Sequence, residues 1–272
     1  MPTEAVSQQN VGRHNLQYET IRVSFQGNIC FLQLYRPEAN NTINTKLINE
    51  CHSLLDYCEN EITVIVISGL PEIFCFGADF FELQKKFKSV GSNGLTVESP
   101  EPLYKLWYRM ATGPYVTVSH VRGKVNAGGI GFVAASDMVL ADITASFSLS
   151  EMLFGLIPAC VMPFLIRKIG LQKANYLSLS TQAIDVTQAA SWGLVDAFDT
   201  NSNALLRKHL LRIRYLTKTS VKRYKHFLSD LSPQLSESKA RSIATNIDVF
   251  SDTNNINGIV RYMEEGKFPW EP

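Results

Sequence analysis

Two glycine-containing turns carry the chemistry this sequence could perform. The first turn is Phe74-Cys75-Phe76-Gly77-Ala78-Asp79, and it runs into the helical pattern F-F-E-L-Q-K-K. The second is G-K-V-N-A-G-G-I-G-F from Gly123 to Phe132, a polar strand end leading into a helix of small residues. Small residues at such turns let a ligand approach the backbone. The helix starts behind them offer unpaired N–H donors at the positive end of a dipole. Neither turn has the Lys-Ser/Thr of a phosphate-binding loop or opens the first βαβ unit as a dinucleotide fingerprint does. Two turns giving one N–H each suit an oxyanion hole, which polarises a carbonyl and stabilises the enolate formed from it.

The surrounding pattern predicts the elements that hold these groups. Ile21 to Leu34 alternates in two β-rich runs around Gly27-Asn28, a hairpin signal, and Arg36-Pro37-Glu38 ends the second strand. Thr45 to Glu59 carries apolar residues at helical spacing. Val64–Ser68, Val116–Val121 and Met138–Ala141 are short β-branched runs of the kind buried on both faces of a parallel sheet, and Ala145–Leu149 follows closely. Helical stretches alternate with them, so an α/β fold with right-handed crossovers is expected. From Ala204 to about Phe250 helical periodicity takes over. The Lys and Arg clusters there alternate with apolar residues, as on a packed helix with a solvated face. Residues 1–14 are polar and read as a flexible N-terminus.

Composition narrows the class. A net charge of +1 asks for neither nucleic acid nor an anionic membrane as partner. No run approaches the ~18 apolar residues of a membrane span, and the N-terminus lacks the apolar run of a signal peptide. Five cysteines without metal spacing read as buried thiols in a reducing compartment, so a cytoplasmic protein without a metal is expected.

The two turns, together with R-P-E-A-N-N-T-I-N at Arg36–Asn44, S-L-S-E-M-L-F-G-L-I-P at Ser148–Pro158 and A-A-S-W-G-L-V-D at Ala189–Asp196, resemble the signatures of the crotonase (enoyl-CoA hydratase/isomerase) superfamily from about Tyr18 to Phe198. The resemblance implies the crotonase fold, a spiral of ββα units over residues 15–200 with a helical C-terminal region, 201–272, that builds a homotrimer or a dimer of trimers. It implies that the N–H groups of Ala78 and Gly128 form the oxyanion hole around a thioester carbonyl. Hydratases of this family carry two glutamates. One corresponds to Glu151; the other falls at Gly131, which has no side chain.

Across nearly the whole length the chain resembles the dehydratases of polyketide β-branching cassettes, in F-C-F-G-A-D-F, T-G-P-Y-V-T-V-S-H-V-R-G-K-V-N-A-G-G, S-F-S-L-S-E and F-P-W-E. These convert a 3-hydroxy-3-methylglutaryl group on an acyl carrier protein into 3-methylglutaconyl. The implied activity is that dehydration, with Glu151 as the single acid/base. No cofactor is implied beyond the phosphopantetheine of the carrier protein, or CoA, that bears the substrate. The sister decarboxylase of the same cassette and a non-catalytic thioester binder are the alternatives, and Gly131 weakens an ordinary CoA hydratase.

Other polar residues are substrate-binding candidates. Asp79 either contacts substrate or caps the helix after it, and Asn126 either braces its turn or holds the β-hydroxyl. The distal carboxylate of such a substrate calls for a cation, with Lys86, His120, Arg122 and Lys124 as candidates. Lys222, Arg223 and Lys225 are candidates to meet an acidic carrier protein.

Overall fold

The computed structural model describes residues 17–90 and 98–272, the side chains of 86–90 excepted. The N-terminal residues 1–14 lie outside this range. The hairpin forms as β1 (Ile21–Gln26) and β2 (Ile29–Leu34), with Gln26 opposite Ile29 across Gly27-Asn28. A 3-10 turn over Pro37–Ala39 follows, then α1 (Thr45–Glu61), whose N-terminus is capped by the Asn44 side chain accepting from the Leu47 N–H.

Three strand pairs then repeat. They are β3 (Val64–Ser68) with β4 (Ile73–Cys75), β5 (Val116–Val121) with β6 (Lys124–Asn126), and β7 (Met138–Asp142) with β8 (Ser146–Ser148). The helices between them are α2 (Phe80–Val90) and α3 (Glu101–Thr112) after the first pair, and α4 (Gly128–Ala135) after β6. After β8 come a 3-10 turn over Glu151–Phe154, α5 (Met162–Ile169) and α6 (Leu171–Ser180). The core closes with β9 (Ile184–Asp185), α7 (Val186–Ser191) and β10 (Ala197–Asp199).

The first strand of each pair joins a six-stranded sheet of order β1-β2-β3-β5-β7-β10, parallel from β2 onward. The second joins a four-stranded sheet of order β4-β6-β8-β9. Each repeat therefore climbs from one sheet to the other, and both candidate turns, after β4 and β6, lie at the ends of adjacent strands of the small sheet. The small sheet is the part that sequence pattern does not predict. Strands of two or three residues are too short to show alternation.

The main core lies between the small sheet, α1, α3, α4 and one face of the large sheet. The other face, with Val64, Val66, Val116, Val118 and Leu140, packs against α8 (Ser202–Ile213) and α9 (Lys218–Leu231). The helical region runs on through α10 (Gln234–Glu237), α11 (Lys239–Ser251) and α12 (Thr253–Glu265), some fifteen residues further than the sequence pattern predicts. All five cysteines are buried and none is in a disulfide, and burial pushes the Cys75 and Cys160 thiols up to about 12.

One basic residue departs from expectation. Lys225 is not on the solvated face of α9. It is 3% exposed, and its ammonium donates to both oxygens of Asp137 (2.5 and 2.6 Å) and to the Met110 carbonyl (3.2 Å). Asp137 in turn accepts from the Thr117 N–H (2.8 Å), so the pair ties α9 to the large sheet. Lys225 is therefore unavailable to a carrier protein, whereas Lys222 and Arg223 are exposed. Removing one partner of a buried pair strands the other charge at a cost of about 3–5 kcal/mol. Lys225→Ala is accordingly expected to lower the denaturation free energy by that amount in a urea titration, and Lys222→Ala to leave it within about 0.5 kcal/mol.

Candidate active site

The first turn is held in shape by the segment after β2. Ile43 and Ala78 form a bridge: the Ile43 N–H donates to the Gly77 carbonyl (2.7 Å), and the Asp79 N–H donates to the Ile43 carbonyl (3.2 Å). The Ala78 N–H lies between these two bonds and, in an extended chain, faces the opposite way. Gly77 has φ +93°, a conformation costly for any side chain. A Cβ there would also come within 2.7 Å of the Ala127 methyl. The two turns thus touch, through Gly77 on one and Ala127-Gly128 on the other.

The R-P-E-A-N-N-T-I-N stretch supplies the brace. Arg36 is nearly buried and pairs with Asp79 at 2.9 Å while donating to the Thr42 carbonyl at 2.6 Å. The buried Asn41 side chain donates to the Leu34 and Phe74 carbonyls and accepts from the Arg36 N–H. Asp79 itself accepts from the Glu82 N–H (3.1 Å) and the Thr42 hydroxyl (3.1 Å), so it caps α2 and closes the ion pair. Its carboxylate is fully engaged with protein groups.

In the second turn Ala127 adopts φ 49°, ψ −124°, sparsely allowed for a residue with a Cβ. The strain is sustained because the Ala127 N–H donates to the Ser148 carbonyl (3.0 Å) and the Ile130 N–H donates back to the Ala127 carbonyl (2.9 Å). Gly128 begins α4, so its N–H has no acceptor within the helix.

Glu151 is brought to this turn by a short polar relay. The Asn126 side chain donates to the Ser150 hydroxyl (2.9 Å) and accepts from the Ser148 hydroxyl (2.9 Å). Asn126 therefore braces its turn against the segment leading to Glu151. The Glu151–Phe154 turn ends at Gly155, whose carbonyl accepts from Asn255 on α12 (3.2 Å). Phe154 packs edge-on against Phe80 and Tyr262. Within this setting the Glu151 carboxyl is buried, and its Oε2 has no hydrogen-bond partner. Burial pushes its pKa up to about 7, against the smaller opposing effect of the Glu151 and Ser150 backbone N–H groups.

Gly131 lies one turn beyond Gly128 on the same face of α4. A Cβ at Gly131 would meet the indole carbons of Trp107 at 2.4 Å, so the Trp107 ring already fills the space beside it. Trp107 is 1% exposed, and Phe132 and Phe164 stand edge-on to it. Sequence reasoning had no signal for Trp107, whose ring partners Phe132 and Phe164 are distant in the chain, and it met Arg36 and Asn41 only inside the R-P-E-A-N-N-T-I-N stretch, because Asp79 and Phe74, which they hold, lie far along the chain.

The remaining candidates fall elsewhere. His120 lies on the face of the large sheet that packs on α8, hydrogen-bonded to the Ser202 backbone; burial and Arg122 push it down to about 4. It is not brought to Glu151, since the alternation of β5 turns it away from α3 and α4. Lys124 is exposed on β6 and shares the face of Asn126. The Lys86 side chain lies outside the described residues. No His, Cys, Asp and Glu group fit for a metal occurs among the described residues.

Two touching glycine turns, and a buried carboxyl on the segment that Asn126 ties to the second of them, make a candidate acyl-thioester site. The family model for enoyl-CoA hydratase/isomerase matches residues 24–272, and the chain belongs to that family. It is an enzyme, a lyase of the hydratase/dehydratase type, with the crotonase fold. Its relatives include the bacillaene synthase dehydratase PksH of Bacillus subtilis, 57% identical over 255 residues, 93% of this chain and 97% of that one. The crystal structure of the Bacillus subtilis protein superposes with a TM-score of 0.90 over 93% of this chain and all of that one. Mevalonyl-coenzyme A hydratase of Aspergillus fumigatus is 33% identical over 172 residues, 62% of each chain. An enoyl-CoA hydratase of Bacillus halodurans, only 19% identical, shares the fold with a TM-score of 0.80 over 89% of this chain and 99% of that one.

A base must be ionised to remove a proton. With Glu151 at about 7, kcat/KM for α-proton abstraction is expected to rise tenfold per pH unit below pH 7 and to level off above it. A profile flat from pH 5 to 9 would contradict that role.

Proposed function

We propose that this chain is a dehydratase of polyketide-synthase assembly that removes water from a 3-hydroxy-3-methylglutaryl thioester on an acyl carrier protein, giving 3-methylglutaconyl. The observation that carries the reading is the buried carboxyl of Glu151, its Oε2 unpartnered, on the segment tied to the second turn, with no second carboxyl at Gly131. The dehydratase named for bacillaene synthase among the relatives supports it.

In this reading the Ala78 and Gly128 N–H groups hold the thioester oxygen. Glu151 takes the α-proton, and the electron pair of that C–H bond moves into the enolate, whose charge the two donors stabilise. The enolate re-forms the thioester carbonyl and the C–O bond at Cβ breaks. The departing oxygen takes back the proton held by Glu151 and leaves as water. One carboxyl on one face suffices for this syn elimination, and it ends in its starting state.

The distal carboxylate of the substrate calls for a cation. Lys124, on the Asn126 face of β6, is a remaining described candidate. The exposed Lys222 and Arg223 are offered to the acidic surface of the carrier protein, whose phosphopantetheine arm brings in the acyl group. Exposed apolar side chains on the C-terminal helices, among them Leu211, Tyr215, Tyr224, Phe227 and Leu231, favour association of copies as a trimer or a pair of trimers. Buried cysteines outside any disulfide fit a cytoplasmic setting.

Intact-protein mass spectrometry of carrier protein loaded with 3-hydroxy-3-methylglutaryl tests the reaction. Wild type is expected to remove one water, and Glu151→Gln to slow this by about 10²- to 10⁴-fold. An unchanged mass with wild type would sink the dehydratase reading; loss of carbon dioxide from the methylglutaconyl form would then mark a decarboxylase.

A further inference from the structure

Among the buried polar side-chain atoms without a partner are Oε2 of Glu151 and Nε1 of Trp107, with the Tyr115 hydroxyl, His120 Nε2 and the Ser180 hydroxyl as the others. Glu151 is the acid/base of the proposed reaction. Trp107, beside Gly131, has no role in it yet. A buried N–H without an acceptor costs about 1–3 kcal/mol, so this one calls for an explanation. An indole N–H has no second use, because it can donate and cannot accept.

Its place in the fold is specific. Cε2 and Cζ2 of the ring lie 2.4 Å from where a Gly131 Cβ would stand, and Cη2 lies 4.0 Å from the Cβ position of Gly128. Nε1 is one bond from Cε2, so it too sits beside Gly131. The ring therefore spans the glycine face of α4 from the oxyanion residue to the bare position one turn on. Phe132 and Phe164 hold it edge-on at 6.0 and 5.9 Å between ring centres, which fixes where its N–H is offered.

We propose that Trp107 is a substrate-contacting residue whose indole N–H donates to the β-oxygen of the substrate as that oxygen departs. This rests on the dehydration proposed above and completes it. Glu151 supplies the proton that turns the leaving hydroxide into water. The indole keeps its own proton and stabilises the charge that builds on the oxygen while the C–O bond lengthens. The bareness of Gly131 follows from the same arrangement, since any side chain there would displace the ring.

The test separates the two steps. Trp107→Phe keeps a ring over Gly131 and removes the donor; replacement by 3-benzothienylalanine keeps the bicyclic shape with sulfur in place of N–H, and serves if the phenylalanine variant fails to fold. Two reactions are read by mass spectrometry with loaded carrier protein. One is water loss from the 3-hydroxy-3-methylglutaryl group. The other is uptake of deuterium from D₂O at the α-carbon of the 3-methylglutaryl group, which has no β-oxygen. The donor-less variants are expected to lose water roughly 10- to 100-fold more slowly while exchanging the α-proton within about twofold of wild type. Unchanged water loss would overturn the inference, and so would an equal fall in both reactions, which marks a merely structural ring. A wild type that exchanges the α-proton yet removes no water would instead fault the dehydration reading on which the inference rests.

Discussion

Burying a carboxyl with one oxygen unpartnered is the constraint on which the rest of this site depends. In water Glu151 would be an ordinary ionised glutamate, too weak a base for an α-proton. The fold buries it, no cation among the described residues acts to restore its ionisation, and the pKa climbs to about 7. That condition disfavours the charged form, so it has to be enforced by everything around it. Asn126 and the two serines tie the start of the turn to β6. Asn255 on α12 holds its end, and Phe80, Phe154, Tyr262 and Phe268 make its wall. The C-terminal helices thus take part in the chemistry indirectly, by keeping the carboxyl dry.

The oxyanion side shows the same economy. In the proposed site two N–H groups can serve one oxygen only if two strand ends meet closely, and Gly77 and Ala127 bring the two turns into contact. The strain at Ala127 is tolerated because its own N–H is bonded to Ser148 of the small sheet and its carbonyl to the Ile130 N–H of α4. The buried Arg36–Asp79 pair fixes the first turn from behind. A pair of this kind adds little net stability but positions its partners sharply, because leaving either one unpaired is costly.

Much of this was legible in the sequence. The strands of the large sheet announce themselves through β-branched runs, and α1 through its apolar spacing. The turns that carry Ala78 and Gly128, and the motif around Glu151, stand out by residue type alone. The small sheet was not legible, because strands of two or three residues carry no period. Nor could the chain show that Lys225 is buried: its partner Asp137 lies 88 positions away, and a lysine on an amphipathic helix reads as solvated. His120 was misplaced for a related reason. A histidine in a buried strand can face either side, and only the packing of α8 decides which. Trp107 reads as a core aromatic, which it is; that its N–H is left unsatisfied beside a bare glycine is visible only in three dimensions.

The buried carboxyl can be observed directly. Titrating ¹³Cδ-labelled glutamate by NMR, with Glu151→Gln to assign the signal, follows this one group in the folded enzyme. A midpoint near 7 is expected, raised by burial. A midpoint near 4.5, the ordinary value, would show that the carboxyl is solvated or paired, and would contradict the account of Glu151 as a lone, desolvated acid/base.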